Sequence, residues 1–91
     1  MLLAVDTPKL LQFPCEYPIK VLVRGQAIVR REIDPVMVRH AGPGALARVS
    51  ERASAQARFL SITYIIEAQS EAQIAALFAE LKTHSSVVMV L

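Results

Sequence analysis

Only one cysteine occurs among the 91 residues. Cys15 therefore has no partner for an internal disulfide and no company for a thiolate metal cluster. It stands between Pro14 and Pro18 and beside Glu16, whose negative charge disfavours a thiolate, so it reads as a packing or turn residue. Glycine is scarce, and Gly42-Pro43-Gly44 has the wrong spacing, and a proline, for a phosphate-cradling loop. The histidines, His40 and His84, fall at helix ends with no ligand cluster around them, so no metal centre is expected. Ser61 and Thr63 have no visible base, and no cofactor motif is present, so the sequence does not read as an enzyme. No apolar run approaches the roughly 18 residues of a membrane helix. The apolar start Met1–Val5 stops at Asp6 without a basic leader, so it does not read as a signal peptide and a cytoplasmic protein is expected by default. The net charge of +2 is small.

The residues present belong to a folded domain. The hydrophobic fraction is 54% and the charged fraction 20%, which argues against disorder. The chain is long enough for one modest core. Residues 1–13 read as an arm, with Asp6-Thr7-Pro8 able to cap a turn and Leu10, Leu11 and Phe13 packing back; the domain spans 14–91.

The organising stretch is Tyr17-Pro18-Ile19-Lys20-Val21-Leu22-Val23-Arg24. Tyr17, Ile19, Val21 and Val23 share one face of a strand, and Pro18, Lys20, Leu22 and Arg24 the other. Proline cannot donate to a ladder, so regular pairing is expected from about Pro18 to Arg24. After a turn at Gly25-Gln26, Val29, Ile33, Val36, Met37 and His40 mark one helical face over about Ala27 to His40. Pro35 within it predicts a kinked or two-piece helix, Asp34-Pro35 being a good cap and first-turn pair. Ala41-Gly42-Pro43-Gly44 ends it. A polar strand over Ala45 to Arg52 suits a sheet edge. Ala53–Ala57 connects it to a strong strand, Arg58 to Ala68, with Leu60, Ile62, Tyr64 and Ile66 on one face. Ser70-Glu71-Ala72-Gln73 is a capping-box pattern ahead of Ile74, Leu77, Phe78 and Leu81, an amphipathic helix ending near Lys82-Thr83-His84. Val87–Leu91 reads as a last strand.

The order βαββαβ predicts an α+β, ferredoxin-like sandwich: a four-stranded antiparallel sheet with two helices on one face and strands ordered last, first, third, second.

Phe13-Pro14-Cys15-Glu16-Tyr17-Pro18-Ile19-Lys20-Val21 resembles the opening of the YbeD-like family of small bacterial proteins. Arg39-His40-Ala41, Arg52-Ala53-Ser54, Arg58-Phe59-Leu60-Ser61-Ile62-Thr63 and Val87-Val88-Met89-Val90-Leu91 are similar to its later segments. The resemblance covers about Leu10 to Leu91. It implies a ferredoxin-like, ACT-like fold in a cytoplasmic bacterial protein. It implies no established activity, although the family is sometimes associated with lipoate metabolism as a regulator. The chain departs from the family pattern at Ala55, where a serine is usual, at Ala57, where a glycine is usual, and at Pro35.

With helices over one face, the other should carry Lys20, Leu22, Arg24, Phe59, Ser61, Thr63, Ile65, Val88 and Val90. Leu22, Phe59, Ile65, Val88 and Val90 would form an apolar interaction surface. The first reading is a regulatory or adaptor module acting through protein contacts, as a homodimer or with another protein on that face. The second is an ACT-like sensor of a small anionic metabolite, with Arg52 and Arg58 as anion contacts. RNA binding ranks last: the aromatic-rich third-strand motif of RNA-recognition domains is missing.

Overall fold

The computed structural model describes residues 12–25, 30–54, 56 and 58–91. Strands β1 (Cys15–Arg24), β2 (Val49–Ala53), β3 (Phe59–Ala68) and β4 (Val87–Val90) form one antiparallel sheet ordered β2-β3-β1-β4. Helices α1 (Arg30–Ala41) and α2 (Glu71–Leu81) complete the expected ferredoxin-like α+β sandwich. Ile19, Val21 and Val23 of β1 meet Ile62, Tyr64 and Ile66 of β3 under Ile33, Val36 and Met37 of α1 and Leu77 and Leu81 of α2. Burying each such aliphatic side chain contributes about 1.5–3 kcal/mol.

β1 begins earlier than the prolines suggest. Cys15 already pairs with Ala68, and Pro18 lies opposite Ile65. The amides of Lys20 and Arg24 point to the β4 side, donating to the carbonyls of Leu91 (3.0 Å) and Ser86 (2.9 Å). By alternation the Pro18 nitrogen faces that same side, where β4 no longer pairs, so the β1–β3 ladder loses no donor. The Phe13-Pro14 peptide is cis.

α1 is one continuous helix with Pro35 inside it, not two pieces. Asp34 does not cap: its carboxylate turns sideways to Arg30 and Tyr64. Val29, Gln26, Leu10, Leu11, Asp6, Thr7 and Pro8 lie outside the described residues, as do Ala55 and Ala57; Phe13 packs on the core as expected. The polar strand starts later than Ala45, because Pro43–Leu46 form a 3₁₀ turn that pushes Ala45 into the core. β2 is a sheet edge, as its charges predict.

β4 departs from strict alternation. Val21 pairs with Val90 and Leu22 with Met89, but Val23 pairs with Val87, so Val88 is an extra residue in a bulge. The bulge exchanges the faces of the strand's end. Val90 is 8% exposed and belongs to the core, while Val88, Met89 and Leu91 are 40%, 48% and 63% exposed. The expectation of Val90 on the open face is therefore corrected: Val90 packs into the core, and Met89 and Leu91 are the residues left exposed.

Candidate binding face of the sheet

The uncovered face is ordered in rows. Met89, Leu22, Ser61 and Arg52 lie side by side across β4, β1, β3 and β2. The next row holds Leu91, Lys20, Thr63 and Ser50. Beyond it Pro18 stands beside Ile65, and at the other end Arg24 stands beside Phe59. The face thus grades from apolar at β4 to hydroxylic and cationic at β2.

Lys20, Leu22, Arg52, Ala53, Ser54, Phe59 and Ser61 line a shallow depression of about 240 Å³ on this face. Three residues singled out from the sequence, Leu22, Phe59 and Arg52, meet there. Arg58 does not line it, and stays exposed one position before β3. Ile65 is half-buried beside Pro18, away from the depression. Lys20 and Ser61 line it too, and their alternation with core residues is the sequence signal that puts them on this face. Among the described residues Lys20, Arg24 and Arg52 form no ion pair, whereas Arg30, Arg39 and Arg48 are held by Asp34 and Glu51, Glu80, and Glu16. The depression therefore joins two unneutralised cations to apolar walls, a setting that attracts an anionic group attached to an apolar body.

A larger cleft of about 880 Å³ opens at the other end of the sheet, between Pro14-Cys15-Glu16, Gly42-Pro43-Gly44, Arg48, Glu67 and Gln73. Among the described residues its one cation, Arg48, is taken up by Glu16 at 2.6 Å. Cys15 is half-buried there at the start of β1 and packs against the core, as its surroundings suggest.

Two polar clusters lie on the helix side. The Tyr64 hydroxyl donates to Asp34 Oδ1 at 2.6 Å, and Arg30 Nε donates to the same oxygen at 2.7 Å while Nη1 reaches Glu51 at 2.5 Å. Burial, reinforced by the bond to Asp34, pushes the Tyr64 phenol well above its ordinary range. The bond to Asp34 likewise raises the Arg30 guanidinium. In the second cluster His40 Nε2 meets Glu80 at 2.7 Å, and Arg39 pairs with the same carboxylate. Gln73 completes it by donating to the His40 carbonyl at 2.8 Å. His40 is thus bound on the side opposite Ser61 and Thr63. Among the described residues no group of three or more histidine, cysteine and acidic side chains stands together to hold a metal, and no helix is long and apolar enough to cross a membrane.

Residues 8–91 match the family model described as protein of unknown function (DUF493). The chain belongs to this family. It is 35% identical over 86 residues to a UPF0250 protein of Hahella chejuensis, covering 94% of this chain and 93% of that one. It is 28% identical over 82 residues to the UPF0250 protein NE1487 of Nitrosomonas europaea, covering 90% and 94%. The YbeD-like resemblance of the opening stretch is thereby established as DUF493 membership. In fold the chain is similar to protein HP0495 of H. pylori, with a TM-score of 0.70 at 15% identity over 89% of this chain and 85% of that one. It is also similar to the C-terminal domain of the MgtC protein of Mycobacterium tuberculosis, with a TM-score of 0.63 at 15% identity over 84% and 82%. At that identity the likeness concerns the ferredoxin-like fold alone.

Proposed function

We propose that this DUF493 protein is a small regulatory or adaptor module whose open sheet face holds an acidic, amphipathic segment of a protein partner. The observation that carries the reading is the depression in which Lys20 and Arg52, neither in an ion pair among the described residues, flank Leu22 and Phe59. An acidic side chain of the partner would sit between the two cations, and a neighbouring apolar side chain would cover Leu22 and Phe59. The hydroxyls of Ser61 and Thr63 supply orienting hydrogen bonds beside them. The module works by contact and transforms nothing.

The reading is tested by selecting binders from a random peptide display on the wild-type protein and repeating the selection on a Lys20→Ala, Arg52→Ala double variant. The expected binders place Asp or Glu next to a large apolar residue, weaken with rising salt and lose at least tenfold in affinity on the double variant. Binders without acidic bias, or with affinity indifferent to the double substitution, overturn it. A free organic acid that raises the melting temperature of the wild type but not of Arg52→Ala would replace the peptide partner with a small anion.

A further inference from the structure

The two edges of the sheet are built differently. β2 carries Glu51 and Arg52, with Arg48 just before it, and charges of this kind keep an edge from pairing with another strand. β4 and the residue after it, Val87-Val88-Met89-Val90-Leu91, carry none. Val88, Met89 and Leu91 are also three of the four exposed large hydrophobic residues among those described, the fourth being Leu46. A groove of about 310 Å³ follows this edge, lined by Lys82 and Val87–Val90.

The backbone of this edge is open. Lys20 and Leu91 exchange both of their hydrogen bonds, at 3.0 and 2.8 Å. In an antiparallel ladder the neighbouring residue, Val90 opposite Val21, then turns its N–H and C=O away from β1. The bulge at Val88 interrupts the ladder, so the extendable edge is confined to Met89–Leu91.

We infer that β4 pairs antiparallel with β4 of a second copy of this chain, around a two-fold axis at Val90. The occupant follows from the charge pattern. A two-fold contact sets the strand against itself, and β4, whose side chains carry no charge, meets no like charge there, whereas β2 brings Glu51 and Arg52 to the contact. The spacing fits as well. Met89 and Leu91 flank Val90 on the open face, so the axis places Met89 of each copy against Leu91 of the other and covers the two most exposed of these side chains. The two Val90 residues exchange their free N–H and C=O groups. The joined molecule has one eight-stranded sheet with both depressions at Lys20 and Arg52 still open. The contact spans three residues per copy, which puts it in the small, weakly held class of interfaces, so the dimer forms with rising concentration. This inference is independent of the proposed partner on the open face.

Sedimentation velocity across a concentration series tests it on the whole chain. The expected result is a monomer–dimer equilibrium weakened at least tenfold by Met89→Lys and restored by Met89→Lys with Leu91→Glu, which sets the introduced ammonium of each copy opposite the introduced carboxylate of the other across the axis. The Lys20→Ala, Arg52→Ala variant should dimerise like the wild type, which separates failure here from failure of the open-face reading. Met89 is half exposed, so its variants keep the fold, as circular dichroism would verify. In parallel, hydrogen exchange at the Val90 amide should slow as concentration rises. A monomer at every concentration, a dimer indifferent to Met89→Lys, or Val90 exchange independent of concentration overturns the inference.

Discussion

The Tyr64 hydroxyl donates to the Asp34 carboxylate at 2.6 Å, tying the middle of β3 to α1 one residue before Pro35. The bond satisfies the one polar atom of a side chain that is otherwise fully buried. The same carboxylate oxygen accepts from Arg30, which reaches on to Glu51 and lies 5.9 Å from the Tyr64 ring centroid. One cluster thus links α1, β2 and β3. Removing the hydroxyl in Tyr64→Phe should cost about 1.5–3 kcal/mol, the range for a hydrogen bond to a charged group. Asp34→Ala should cost more, because it leaves both Tyr64 and Arg30 without their acceptor. Urea denaturation measures both as lower midpoints with unchanged slope.

The same phenol predicts an alkaline limit. Its folded-state pKa is raised above the unfolded value near 10. The folded state therefore holds the proton longer, and the stability this contributes is fully present below about pH 10 and declines as pH rises beyond it. The slope reaches up to about 1.4 kcal/mol per pH unit for one proton. Denaturation between pH 9 and about 11.5 should show a steeper decline in the wild type than in Tyr64→Phe.

The bulge in β4 gives Val88 and Val90, two positions apart, different surroundings. Val90→Ala should cost about 1.5–3 kcal/mol, since Val90 is 8% exposed, whereas Val88→Ala at 40% exposure should cost under about 0.5. Strict alternation along the strand would put both on one face and make the two costs similar. Thermal melts of the monomer at low concentration compare the two.

Gln73 joins the helices. Its amide Nε2 donates to the His40 carbonyl at 2.8 Å, and its Oε1 accepts from the Gln69 amide at 2.6 Å. Its backbone amide meanwhile donates to the Ser70 hydroxyl at 3.0 Å. Ser70→Ala should cost about 1 kcal/mol through the lost cap. Gln73→Ala should cost about 1–2 kcal/mol through two lost side-chain bonds, and should speed amide exchange at the end of α1 more than Ser70→Ala does.

Pro35 is exposed on α1 and cannot donate to the carbonyl of Arg31. Replacing it with alanine should raise stability by about 1–2 kcal/mol, the helical gain outweighing the freer unfolded chain. A melting temperature lower than that of the wild type would mean that the proline ring holds the helix against the sheet.

Much of the molecule was legible in its residues. The alternation of Ile19, Val21 and Val23 with Lys20, Leu22 and Arg24, and of Ile62, Tyr64 and Ile66 with Ser61, Thr63 and Ile65, marks both central strands and the face each side chain takes, because burying the wrong set would strip polar groups of water. Ser70 and the spacing of Leu77 and Leu81 place α2 equally well. The candidate site was half legible: Leu22, Phe59 and Arg52 were singled out, but their meeting with Lys20 and Ser61 in one depression needed the register of three strands.

The two prolines and the final strand show where local pattern stops. Whether Pro18 interrupts pairing depends on which neighbour its missing donor would have faced, and that is set by where β4 ends along β1. Asp34 could cap a helix from its local sequence, yet Tyr64, thirty positions away, offers its carboxylate a partner instead. Val87-Val88-Met89-Val90-Leu91 is apolar at every position, so a period of two distinguishes no face and a one-residue slip carries little penalty within the strand itself. The sequence by itself determined the elements, their order and the faces of every strand with polar alternation. Only the tertiary structure, by packing Val90 beside Val21 and bulging at Val88, decided which apolar residues of the last strand fill the core and which are left exposed.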